Sequence, residues 1–153
     1  MKTGKGVALR VAFVLYVAAM LWLLFGQRLP EQWSLPTWEQ MQERLSLEPG
    51  HTIGNYLWVL RNSAGLQARR DAVVNLVGNV VLFIPLGYFL GALFRPFARF
   101  WPMLIWSAAM ICAVEAVQLV TALGSCDVDD LILNLVGITV GWLIYKLASK
   151  GKK

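Results

Sequence analysis

The chain has 153 residues, 58% of them hydrophobic and only 15% charged, with a formal net charge of +5. That is too apolar for an ordinary soluble domain and too poor in charge for a disordered chain or a nucleic-acid-binding domain. With a mean hydropathy of +0.57 it reads as a single all-α domain, residues 1–153, embedded in a membrane. A single His and two Cys, without close Cys or Cys/His pairing, support neither a common zinc ligand set nor a disulfide framework.

Four stretches are long enough to cross about 30 Å of hydrocarbon at about 1.5 Å per helical residue. They cover about 7–25, 76–94, 102–123 and 131–147. The first follows Lys2, Lys5 and Arg10 and continues through Met20, Leu21, Trp22, Leu23 and Leu24 with no small-residue cleavage site, so an uncleaved span is expected rather than a signal peptide. Arg95 and Arg99 join the second and third spans, and Lys146, Lys150, Lys152 and Lys153 follow the fourth. This pattern predicts both termini in the cytoplasm. The positive charge is then a topology signal rather than a nucleic-acid surface.

Residues 26–72 then form an external loop, broken by Pro30, Pro36 and Pro49. Within it Thr37 is placed to cap a short helix from Trp38 to Leu45, with Trp38, Met41 and Leu45 on one face. A second piece, Ile53 to Leu60, holds Tyr56, Leu57 and Trp58 and suits a lipid headgroup boundary. Both pieces either cap the bundle from outside or belong to an irregular loop with scattered aromatics.

The second and fourth spans begin alike. Asp71-Ala-Val-Val-Asn75-Leu-Val-Gly78 and Asp130-Leu-Ile-Leu-Asn134-Leu-Val-Gly137 share five identities in eight. This resembles a duplicated helical hairpin, two hairpins in the same orientation. Asp at i, Asn at i+4 and Gly at i+7 share a helical stripe, with an acid at the mouth, an amide one turn deeper and a gap below. Asp71 and Asp130 also suit helix N-termini. Gly87/Gly91 and Gly137/Gly141 have the spacing of close helix packing, and Pro85 leaves the Val81 carbonyl without its usual partner and predicts a kink.

Glu115 and Gln118 interrupt the third span. An acid at such depth costs about 2.5 to 3.5 kcal/mol, so it must be paired, hydrated or protonated. Counting from Pro102, it lies roughly 20 Å from the cytoplasmic end, in the outer half, level with Asn75, Asn79 and Asn134. These residues predict an outward polar cavity under a mouth of Asp71, Asp127, Asp129 and Asp130, against the alternative of a hydrogen-bond network that only glues helices together.

The run Asn75-Leu-Val-Gly-Asn79-Val-Val-Leu-Phe-Ile-Pro85-Leu-Gly87 resembles the hallmark of VanZ-like membrane proteins. Glu115-Ala-Val-Gln118 and the segment from Cys126 to Gly137 are similar to the family's third-span acid and glutamine and to its acidic turn and final helix. The match covers about Asp71 to Leu147. Members often have an Arg before the acids; here Leu123-Gly124-Ser125-Cys126 offers none, which leaves Arg69 or Arg70 as the substitute. The resemblance implies a bacterial cytoplasmic-membrane protein of a family named for reduced susceptibility to the glycopeptide teicoplanin.

Three classes of function follow. As a binding protein of the envelope, the chain would use Glu115, Gln118, Asn75, Asn79, Asn134, Asp71, Asp127 and Asp130 to hold an amine-bearing or peptide headgroup. The ligand would be membrane lipid, a lipid-linked envelope precursor or a lipoglycopeptide. As an enzyme on a lipid-linked substrate, Glu115 would be the acid or base, with Asp127, Asp129 and Asp130 as weak candidates for a hard divalent cation. No Ser/His/Asp set is convincing, because His51 is the only His, and no cofactor is implied. A proton-coupled transporter is the third, and with four spans it would call for a homo-oligomer. The residues favour binding over catalysis.

Overall fold

A computed structural model describes residues 3–29 and 34–150; Lys2, Pro30, Lys152 and Lys153 lie outside this range, as does the side chain of Lys5. The helices are α1 (Thr3–Leu24), α2 (Trp38–Glu43), α3 (His51–Asn62), α4 (Leu66–Leu93), α5 (Phe100–Val120) and α6 (Val128–Lys150). Among the described residues four helices are long and apolar enough to cross a membrane: Gly6–Leu24 of α1, and α4, α5 and α6. Their outward faces carry exposed Val14, Leu15, Trp22, Val81, Ile105, Trp106, Leu143 and Ile144, an apolar surface that only lipid accommodates. The chain is a multi-pass membrane protein.

Hydropathy placed the start of the second span at Leu76, but α4 begins at Leu66. Its first two turns, Leu66 to Val73, are partly polar and are good helix formers, so the helix extends beyond its apolar part. Asp71 therefore sits in the second turn and not at a helix N-terminus, and the first turn of α4 holds no acid. At the other end of the hairpin, α5 stops at Val120 because Ala122 takes a left-handed conformation, φ 57°, that closes the helix end.

The core pairs α4 with α6. A β-carbon on Gly137 would strike the Val80 carbonyl, one on Gly141 the Ile84 carbonyl and one on Gly87 the Ile138 carbonyl, while one on Gly91 would strike the Tyr145 ring. The partners climb together along both helices, so α4 and α6 run side by side in the same direction at backbone contact. Gly78, the repeat partner of Gly137, has open space before it. Phe83, Leu86, Leu90, Met103, Ile111 and Ile138 fill the interior.

Helix α1 lies antiparallel against α4. Phe13 meets the rings of Phe89 and Phe94 at 5.5 and 5.8 Å, and the Tyr16 hydroxyl donates to the Leu82 carbonyl at 2.6 Å. That bond falls one residue from the Val81 carbonyl that Pro85 deprives of its amide, and α4 runs through Pro85 as one helix. Trp142 of α6 donates to the Phe97 carbonyl at 3.0 Å and closes the end of the bundle that holds the α4–α5 turn.

The α1–α4 connection crosses the opposite end as a strap. Thr37 caps α2 in a reciprocal box with Gln40, but α2 ends at Glu43 rather than Leu45. Leu45 and Ser46 leave the helix to pair in parallel with Cys126 and Asp127. Helix α3 follows over the same end, longer at both ends than Ile53 to Leu60.

Candidate functional site

The α5–α6 turn and the strap hold each other through three carboxylates with three different tasks. Asp127 precedes α6, accepts from the Asp129 amide at 2.9 Å as a helix cap does, and accepts from the Thr52 hydroxyl at 2.6 Å. Asp129 is fully buried and accepts from the amides of Gly50 (2.6 Å) and Ile53 (2.9 Å), so an acid of α6 caps the N-terminus of α3. Asp130 accepts from the Asn79 amide at 2.6 Å. The three do not converge, and no group of three His, Cys, Asp or Glu suited to a metal ion occurs among the described residues.

Beneath the strap is a cavity of about 130 Å³, enough for several water molecules. Helix α5 contributes Glu115 and Gln118, α4 contributes Asn75 and Asn79, and α6 contributes Asp130 and Asn134. Asp127 borders the mouth, Thr52 and Tyr56 cover it from α3, and Phe83, Ile111 and Leu24 supply apolar wall. Among the described residues the lining has three carboxylates and no Lys, Arg or His.

Several of these polar groups are engaged. Gln118 donates to the Leu24 carbonyl at 3.0 Å, which satisfies the end of α1, and Asn75 donates to the Asp71 carbonyl at 2.8 Å. Glu115 is only 6% exposed; its Oε2 lies 3.8 Å from the Cys126 Sγ, and its Oε1 has no hydrogen-bond partner among the described residues. Asn134 is equally buried and its Oδ1 is likewise unpartnered. Outside the spans, burial and then the neighbouring Glu115 charge push the Cys126 thiol up. Burial, followed by the charges of Asp130, Asp127 and Asp71, raises the Tyr56 phenol.

Of the residues singled out in the sequence, Glu115, Gln118, Asn75, Asn79, Asn134, Asp127 and Asp130 share this cavity. Asp71 does not line it; it is exposed and accepts from Gln67 at 2.9 Å. Neither Arg69 nor Arg70 lines the cavity, and Arg69 donates to the Leu60 carbonyl at 2.7 Å. The guanidinium that meets the α5–α6 turn is Arg44, which donates to the Ala122 carbonyl at 2.7 Å. Tyr56 belongs to the piece that the sequence reads as a cap on the bundle or as irregular loop, whereas Thr52 and Arg44 are not singled out there, because their partners lie 75 or more residues away and no local spacing marks them.

The sequence model of the VanZ/LLP1 family matches residues 13–149, which include every residue lining the cavity. The protein named Protein VanZ from Enterococcus faecium is 26% identical over 142 residues, 92% of this chain and 75% of that protein. No solved structure matches the chain. With a match that runs from the middle of α1 almost to the end of α6, this chain belongs to the VanZ/LLP1 family.

Proposed function

We propose that the chain is a bacterial cytoplasmic-membrane protein of the cell envelope, with both termini in the cytoplasm and the cavity facing outward. In this reading the cavity binds a lipid-linked envelope molecule or a lipoglycopeptide and so contributes to glycopeptide tolerance. The observation that carries it is Glu115, a carboxylate buried in a span that lines a polar cavity and has one oxygen without a hydrogen-bond partner among the described residues. A group whose only task was to glue helices together would have its partners. The family resemblance to Protein VanZ supports this reading.

Charge supports the orientation. Arg10, Arg95, Arg99, Lys146 and Lys150 lie at the end away from the cavity, where the described residues include no acid. At the cavity end Glu39, Glu43, Glu48, Asp71, Asp127, Asp129 and Asp130 stand beside Arg44, Arg61, Arg69 and Arg70, and the Lys/Arg excess next to the other ends of the spans is completed in the sequence by Lys2, Lys5, Lys152 and Lys153. The shared direction of α4 and α6 fits two hairpins in the same orientation, with the described residues 34–65 as an external strap.

The test is a host made dependent on this protein. Glu115→Gln keeps the shape and much of the hydrogen bonding, and should insert normally while losing teicoplanin tolerance. Wild-type tolerance in a stable Glu115→Gln protein would return the site to a structural role. Orientation is read in the same cells with Ser125→Cys after both native thiols are replaced, since Ser125 is exposed whereas the Cys126 thiol is half-buried. An impermeant thiol reagent should label Ser125→Cys on intact cells, and labelling only after lysis would reverse the orientation.

A further inference from the structure

We infer that the deep end of the cavity is a site for a primary ammonium group, held by Glu115 and Asn134 with Asp130 as a further acceptor. The inference rests on the binding role proposed above and names the chemistry of what is bound. It also moves the recognition of an amine from the acidic mouth, where the sequence pattern placed it, to a level inside the bundle.

The argument is a balance of donors and acceptors. The donors of Asn79, Asn75, Gln118 and Thr52 are already given to Asp130, to the carbonyls of Asp71 and Leu24, and to Asp127. At the mouth, Asp127 and Asp129 are occupied in capping α6 and α3. The atoms left over are acceptors, Glu115 Oε1 and Asn134 Oδ1, each on a side chain more than nine-tenths buried and lining the cavity. The remaining donors of the wall, the hydroxyls of Tyr56 and Ser125 and the Asn134 amide, reach neither acceptor, and among the described residues no cation lines the space. An anion would bring more acceptors to a surface that already has three carboxylates. A hydroxyl brings one donor for two sites, and a quaternary ammonium brings charge without an N–H. A primary ammonium brings both, with three N–H donors in a group the size of a water molecule. Phe83 and Ile111 line the same space and suit the methylenes that follow the nitrogen. An aminoethyl lipid headgroup and a free soluble amine present the same group.

The experiment uses the full chain in phosphatidylcholine nanodiscs, with thermal unfolding followed by the fluorescence of its seven Trp. Ethanolamine at about ten times its Kd should raise Tm by roughly 3 °C, whereas choline, which has the same hydroxyethyl arm but no N–H, should not. A second arm replaces part of the phosphatidylcholine with phosphatidylethanolamine; a comparable rise without added amine assigns the lipid as the source, and a rise with free ethanolamine alone assigns a soluble amine. Glu115→Gln should abolish the response and Glu39→Gln, an exposed acid of α2, should keep it. If Glu115→Gln does not fold, Asn134→Asp supplies the test, because a second charge at that position should tighten ethanolamine binding several-fold, and unchanged binding overturns the inference. Equal responses to ethanolamine and choline would mean that charge alone is read, and no response to either, with Glu115→Gln as stable as the parent, would mean that Glu115 shares a proton within the wall. Either result removes the ammonium. Loss of teicoplanin tolerance in Glu115→Gln alongside such a result would leave the binding role standing.

Discussion

Helix α6 is held on two sides by opposite means. Along its length it meets α4 through glycines, backbone against backbone, at positions where no side chain fits. At its start it holds the strap through the carboxylates of Asp127 and Asp129, bonded to groups of α3 and its cap. The seam depends on shape and gains from every close atom pair, so it tolerates no added volume. The strap has no buried residue in α2 or α3 and depends on a few charge-assisted bonds, so it can be released without unfolding the bundle. The cavity lies where the two meet, with a rigid wall on one side and a detachable cover on the other.

The largest expected effect breaks the seam. Gly141→Leu places a side chain where the Ile84 carbonyl stands and should cost about 3 kcal/mol or more, read as loss of the folded protein in thermal unfolding. Gly78→Ala is the control within the same repeat. With nothing before it, this change should be neutral or stabilising by up to about 1 kcal/mol, and equal damage from the two would show that the seam is not set by contact.

Comparable in size but confined to one end of the bundle is release of the strap. Asp129→Ala removes two bonds from a carboxylate to the α3 end, worth about 1.5 to 3 kcal/mol each. Hydrogen exchange should then quicken across residues 45–62 while α4 and α6 stay protected. Uniform loss of protection would make the strap part of the core and erase the distinction.

The smallest effect sharpens the comparison at the turn that Arg44 grips. Ala122 holds a left-handed conformation that glycine adopts freely, so Ala122→Gly should stabilise by about 1 kcal/mol and raise Tm, with the Arg44 bond to its carbonyl retained. A lower Tm would mean that the Ala122 methyl packs better than its backbone suggests.

The repeat illustrates how far local pattern carries. Asn75 and Asn134 both reach one cavity, as their matched positions suggest. Yet the amide of Asn75 turns back to its own helix while Asn134 is buried, and Gly78 faces open space while Gly137 is packed. Identical residues take different environments because α6 has neighbours on sides where α4 has none. The same reasoning explains Asp71: helix α4 begins at Leu66, ten residues before the apolar run at Leu76, and the acid lies exposed on its early turns, outside the cavity.

The sequence by itself determined the all-α class, the four apolar helices, the family, and the level at which Glu115, Gln118 and the asparagines would lie. Each of these is a sum over neighbouring residues, of hydropathy, of helical spacing or of a contiguous motif, and so is written locally in the chain. Only the tertiary structure decided which acid does what: Asp129 as the cap of a helix 76 residues away, Asp130 at the cavity, Asp127 shared between the two. A carboxylate's task is fixed by the donor it meets, and that donor comes from another element whose arrival no local pattern records.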